Sequence, residues 1–178
     1  MAAVSGDPRE VGRKVRSLRE ERGISLSELA RRAGVGKATL SGLETGTRNP
    51  TLDTLWAVTA QLGVPIAAVV GSAIDEVVVR GEAVEATLLE VFEDTGVTYE
   101  LYRMRVPPGA TQTSPAHHAG VTEHITVFSG TLSAGPADAP LVAGPGGYLT
   151  WRSDVPHGYT AVGEEPVLAS LLIRYPAT

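Results

Sequence analysis

The pattern of hydrophobic and polar positions changes period once along the chain, close to residue 71. Before that point apolar residues recur three and four apart. From Arg9 onward Val11, Val15 and Leu18 share one helical face, with Arg13, Lys14, Arg16, Arg19 and Arg22 around it, and Gly23 stops the pattern. Residues 1–8 are small, polar and unpatterned and read as a frayed end. Ser25 with Glu28 three residues on reads as a capping box ahead of Leu26, Leu29, Ala30 and Ala33, and Gly34 as the left-handed end of that second helix. A third helix is predicted from about Val35 to Thr45, burying Val35, Leu40 and Leu43, stopped by Gly46 and followed by the Asn49-Pro50 turn. Thr51 caps a fourth helix carrying Leu52, Leu55, Trp56, Thr59 and Leu62. Pro65 opens a short fifth one with Ile66, Val69 and Val70.

Beyond Gly71 the period falls to two. Runs rich in Val, Thr, Tyr and Leu cover residues 76–80, 84–92, 97–106, 123–128, 147–151 and 167–175, with Gly, Pro, Asp or Ser between them. Asp94-Thr95-Gly96 reads as a hairpin turn. The expected fold class is therefore α+β in two domains. Residues 9–71 form an all-α unit of five short helices, residues 72–82 a linker (Gly71 to Asp75) and first strand, and residues 83–178 an all-β sandwich or barrel. With so short a connection the two units have limited mutual freedom.

Charge divides at the same place. The chain of 178 residues has a net charge of −5, but residues 1–71 hold ten Lys/Arg against seven Asp/Glu, whereas residues 72–178 hold five against thirteen. Phosphate contact is electrostatically favourable for the first unit and unfavourable for the second. The absence of cysteine excludes disulfides and thiolate metal sites. No apolar run reaches the roughly 18 residues needed to span a bilayer, and the N-terminal residues lack a signal-peptide core, so the expected location is cytoplasmic.

In the third helix the residues outside the buried set are small or basic, the composition of a helix that enters a major groove. The stretches LSELARRAGV and TLSGLETGTRNPTLDTL resemble the helix-turn-helix of the phage-repressor (Cro/C1, XRE) family across roughly Val11 to Val70. The resemblance implies a lambda-repressor-like domain whose third helix reads bases. Lys37 and Ala38 would lie on its exposed first turn, with Ser41 and Gly42 further along, and Ser25, Ser27, Thr39 and Arg48 would take phosphate-contact positions. Lys37 can meet guanine acceptors or phosphate, and Ala38 a thymine methyl. Because Gly42 has no side chain to read with, the reading set is small, and dimerisation is needed for a usable operator. Arg19 and Glu44 match an ion pair between the first and third helices in that family. Arg13 and Arg16 read as a solvated face.

The second unit holds all four histidines of the chain: His117, His118 and His124 close to Glu123, and His157 after Pro156. Imidazoles and a carboxylate on neighbouring strands suit a divalent metal of the Fe, Mn, Ni or Zn type, and two His with one carboxylate suit non-haem iron. Pro108-Gly109, the His pair, Glu123, Gly130, Gly147 and Pro156-His157 resemble the two cupin motifs over about residues 99–175. That resemblance implies a double-stranded β-helix barrel with Glu123, His157 and one of His117 or His118 pointing inward. Here the two histidines are adjacent instead of two apart, so Ala116 or Ala119 fills one ligand position, and Ala161 stands where the second motif has Asn. At most three metal ligands remain. A metal-free barrel holding a small organic effector is the equal alternative, with Tyr148, Trp151 and Tyr159 as pocket candidates. His124 alternates to the outer face.

Together the two resemblances imply a cytoplasmic, homodimeric transcriptional regulator that binds a double-stranded DNA operator. Its cupin domain would sense a small molecule and supply the dimer interface, and the chain would not be an enzyme. The alternative is a non-haem-iron oxygenase similar to the phosphonate epoxidases, which also join such helices to a cupin. An antitoxin or DNA-organising protein is a third option.

Overall fold

A computed structural model describes residues 7–70, 77–81 and 83–176. The expected linker Gly71 to Asp75 and residues 1–6 lie outside them. Helix α1 (Pro8–Glu21) begins one residue inside the stretch read as frayed. The Asp7 carboxylate accepts the Arg9 N–H at 2.9 Å, and Pro8 at the first helical position has no N–H to leave unpaired. In α2 (Leu26–Arg32) Ser25 accepts the Glu28 N–H at 3.2 Å. The returning half of the expected capping box is not formed, because Arg31 and Arg32 take the Glu28 carboxylate and hold its pKa down at about 2. Helix α3 (Lys37–Glu44) starts two residues later than expected. Gly36 is its extended N-cap, and Val35 lies in the turn, its N–H donating to the Ala30 carbonyl. Thr51 caps α4 (Leu52–Leu62) through the Thr54 N–H, left-handed Gly63 ends it, and α5 (Ala67–Val70) begins two residues after Pro65.

The α1–α3 crossing is close. A Cβ on Gly12 would stand 2.2 Å from the Leu43 carbonyl oxygen, so only glycine lets α1 pass the C-terminal end of α3. Two turns further on, Arg19 grips Glu44 with both prongs, at 2.6 and 2.8 Å. Both side chains are nearly buried, and each raises the other's value as a hydrogen-bond partner. The pair fixes α3 against α1.

The rest is two antiparallel sheets face to face. The first sheet takes β1 (Val77–Arg80), β2 (Glu85–Asp94), β3 (Val97–Val106), β10 (Val167–Tyr175), β5 (Thr122–Ser129) and β8 (Tyr148–Arg152), in that spatial order. The second takes β4 (Thr111–Ser114), β9 (His157–Val162), β6 (Thr131–Pro136) and β7 (Leu141–Ala143). The hairpin at Asp94-Thr95-Gly96 has Thr95 and Gly96 both at positive φ, as a two-residue primed turn requires. Sequence patterning had pointed to the six strands of the first sheet and to none of the second. Between the sheets lie Tyr102, Met104, Ile125, Leu171 and Ile173 from one side and Leu132, Ala134, Tyr159 and Ala161 from the other, all at most 2% exposed.

Contacts among the described residues join the helices to this sandwich. The Ala67 N–H donates to Glu100 on β3 at 2.6 Å, and the same carboxyl accepts from Tyr102 and Tyr175. Gln112 on β4 donates to Asp53 on α4 at 2.9 Å. Between these fastenings, Trp56 of α4 presents its ring edge to His117, with centroids 5.8 Å apart and planes at 79°. No helix among the described residues is long and apolar enough to cross a membrane.

Candidate functional site

Three polar side chains, from β5, β9 and the loop after β4, converge inside the sandwich. Glu123 stands on β5 opposite Trp151 of β8 and Ile173 of β10, facing inward by strand alternation. His157 opens β9 opposite Ser114 of β4 and Pro136 of β6. His117 comes from the loop after β4, fastened by its N–H to the Ser153 carbonyl at 2.9 Å. That loop is turned by left-handed Gly120, whose N–H donates to Asp154. Their ligand-type atoms all lie within 4.8 Å of one another, and all three residues are buried.

One carboxylate oxygen is shared. Glu123 Oε1 is 3.1 Å from His117 Nε2 and 3.1 Å from His157 Nε2, while Oε2 accepts the Tyr159 hydroxyl at 2.5 Å. His157 Nδ1 donates to the Val155 carbonyl at 2.8 Å, because a carbonyl can only accept. Its Nε2 therefore faces the carboxylate with a lone pair unless it carries a proton or a cation, and it makes no hydrogen bond of its own. Burial works against charge on His157, but the Glu123 carboxylate and the Val155 carbonyl outweigh it and the imidazole pKa is raised. For Glu123 burial alone would push the pKa up, yet the His157 charge and the His117 hydrogen bond bring it well below the ordinary carboxylate range. This donor set fits a divalent cation: two imidazole nitrogens and one ionised oxygen, with Val155 orienting one ring as a metal-ligating His is usually oriented.

The surroundings are polar and incompletely satisfied. Among the described residues, Ser114 Oγ, Ser153 Oγ, Trp56 Nε1 and Trp151 Nε1 are buried without a hydrogen-bond partner. Trp151 and Tyr159 lie against the His157 ring, with centroids 6.1 and 5.7 Å away.

Of the two adjacent histidines, His117 joins Glu123 and His157. His118 does not: it is half-buried beside Tyr175, and burial lowers its pKa. Ala119, two residues after His117, thus occupies the position where the cupin pattern has its other histidine. Tyr148 is also removed from the pocket set, being 58% exposed on the outer face, where its hydroxyl meets the outward His124. Strand alternation accounts for both, since β8 turns Leu149 and Trp151 inward and Tyr148, Thr150 and Arg152 outward. Trp56, read from the sequence as core of the fourth helix, is the residue of this site that the pattern did not reveal. A helical apolar stripe offers no sign that one member faces another domain.

On the helical unit, Lys37 and Ala38 are exposed on the first turn of α3, with Thr39 and Ser41 half-buried, and Ser25, Ser27 and Arg48 are exposed. Ser25 spends its hydroxyl as the α2 cap. The Arg48 stem lies across Gly42, such that a Cβ there would be 3.0 Å from Arg48 Cγ and Cδ. The Gly42 carbonyl also accepts the Thr47 and Arg48 N–H groups. Gly42 is the seat on which Arg48 is carried.

Residues 15–69 match the helix-turn-helix family HTH_3, and residues 102–173 match the cupin-domain family Cupin_2. The HTH-type transcriptional regulator SutR of Escherichia coli (strain K12) is 32% identical over 166 residues, covering 91% of this chain and 93% of that protein. The regulator SinR of Bacillus subtilis (strain 168) is 42% identical over 57 residues, 32% of this chain and 51% of its own length, a likeness of the helical unit. A solved HTH_3 family transcriptional regulator from Vibrio cholerae superposes with a TM-score of 0.78 at 27% identity, covering 96% of this chain and 97% of that one.

Proposed function

The chain belongs to the helix-turn-helix transcriptional regulators that carry a cupin domain behind the DNA-binding helices, and from that premise we propose that its barrel is a sensor whose occupant sets how the helices hold DNA. It is a DNA-binding transcriptional regulator. The helical unit, residues 9–71, binds a double-stranded operator. Lys37, Ala38 and Ser41 face base edges, and Ser25, Ser27, Thr39 and Arg48 meet phosphates on either side. Residues 72–82 carry the connection and first strand, and residues 83–178 the sensor. The chain acts as a homodimer, since one such short reading set specifies too little DNA alone.

The observation that carries the sensor reading is the buried His117–Glu123–His157 cluster. These three side chains would hold a divalent metal, which supplies a positive centre with open positions for an anionic or oxygen-bearing effector. An occupant changes operator affinity only through preferring one arrangement of the protein, and a preference of about 1–3 kcal/mol alters that affinity roughly 5- to 150-fold. The test is metal analysis after loading the purified chain with Co(II), Fe(II), Mn(II), Ni(II) or Zn(II). Close to one ion per chain is expected, lost in Glu123→Ala and in His157→Ala, together with a metal-dependent shift in operator affinity. A chain that retains none of these ions overturns the metal and leaves an organic effector as the occupant.

The same three side chains favour one second reading, a catalytic iron centre. Oxygen uptake by the Fe(II)-loaded chain on an added phosphonate, with operator affinity indifferent to iron, would decide for it.

A further inference from the structure

We infer that the DNA-binding unit supplies one wall of the barrel site. Trp56, on α4, is a contact for the barrel's occupant and the point where occupancy reaches the reading helix. This deepens the sensor reading above and rests on it. Trp56 is 1% exposed, packed edge-on against the His117 ring, and its indole nitrogen has no acceptor among the described residues. An indole N–H can only donate, so protein packing leaves it a standing demand for an acceptor. Trp151 carries the same unmet donor against the His157 ring, and Ser114 and Ser153 add two unpartnered hydroxyls. Two donor-only groups and two hydroxyls around two imidazoles and a carboxylate call for an occupant that presents oxygen acceptors. A small carboxylate or other oxyanion, on or beside a cation, has that chemistry.

The position of Trp56 gives such an occupant a route out of the barrel. Helix α4 packs on α2 and α1, and both of these pack on α3. On either side of Trp56 in sequence, Asp53 and Ala67 tie the α4–α5 pair to Gln112 and Glu100 of the barrel. A shift at the His117–Trp56 contact is therefore passed into α4 instead of being lost at a loose boundary. The coupling runs through packed side chains with named members, which a cycle of substitutions can interrogate.

The chain has two tryptophans, both at this site, so Trp151→Phe leaves Trp56 as the sole indole. Full-length Trp151→Phe is titrated with Co(II), following the visible Co(II) band and Trp56 emission in the same sample. Emission should fall in step with the band. Separately, affinity for a duplex selected from a random pool by the wild-type chain is measured with and without saturating Co(II). The ratio, about 5-fold or more in the wild type, should fall below about 2-fold in Trp56→Phe at concentrations that saturate that variant's own band. A saturating band with unchanged Trp56 emission, or a ratio untouched by Trp56→Phe, overturns the inference. Absence of any Co(II) band overturns the metal centre alone, and the wall is then judged by His117→Gln in the Trp151→Phe background. With an unchanged far-ultraviolet spectrum, a shifted Trp56 emission and an operator affinity altered about 5-fold uphold it; no change in either overturns it.

Discussion

Glu123 Oε1, 3.1 Å from two imidazole nitrogens, needs a proton or a cation between itself and His157. Without metal, the raised His157 pKa favours a proton there. Because the folded pKa of His157 is raised, its share of stability is fully present below the ordinary imidazole value and is lost as pH rises through the folded value. The depressed Glu123 works in the opposite direction, its share being lost only in strong acid, far from this window. Chelator-treated protein should thus melt at lower temperature as pH climbs from about 6.5 through the alkaline side of neutrality. Over the same range Co(II) affinity should rise, since each ion bound displaces the His157 proton. A melting temperature flat across that window, measured by calorimetry in constant ionic strength, would show that His157 is not the proton's seat.

At the scale of elements, the reading helix owes its place to a glycine. Gly12 lets α1 touch the end of α3, and a Cβ there would meet a backbone oxygen at 2.2 Å, a partner that cannot swing aside. Gly12→Ala should therefore cost about 1–3 kcal/mol or more, as overpacking does, although alanine is the better helix former by nearly 1 kcal/mol. A lower urea midpoint together with weakened operator binding would confirm it, and a gain in stability would contradict it. The sequence did not disclose that contact, although it disclosed the five helices, because caps and apolar periodicity are local and a glycine inside a helix has no pattern. The sheets divide the same way. Four of the six strands of the first sheet run eight residues or more, and each of the six was legible. The strands of the second are short, and β4 and β9 turn Gln112, Ser114, His157 and Tyr159 inward where an ordinary strand would turn Val or Leu. Two of those inward residues, His157 and Tyr159, belong to the site, so the chemistry that makes the barrel useful also hid its strands. Glu123 and His157 were legible through the resemblance to the cupin motifs. The choice of His117 over His118 rests on a loop tied to Ser153, which no local pattern carries.

At the scale of the whole molecule, positive charge gathers on the helical unit and negative charge on the barrel. Phosphates are drawn to one end and repelled from the other, which orients the protein on a duplex before any base is read. Lys37 stands exposed on the first turn of α3 and Arg48 four residues beyond its end, propped on Gly42. If Arg48 meets a phosphate, Arg48→Ala should weaken binding about equally on all sequences and reduce the slope of log affinity against log salt by roughly 1 per half-site contact. Lys37→Ala should instead lose discrimination at one base position, by about 1–3 kcal/mol, if it reads a guanine, and only the salt slope if it meets phosphate. A homodimer doubles each effect, since a two-fold operator repeats every contact in its other half. Titrations of the full chain on its selected duplex and on scrambled DNA, across a salt series and with sedimentation to count chains per duplex, separate these outcomes. Salt slopes unchanged in both variants would mean that α3 does not face the DNA.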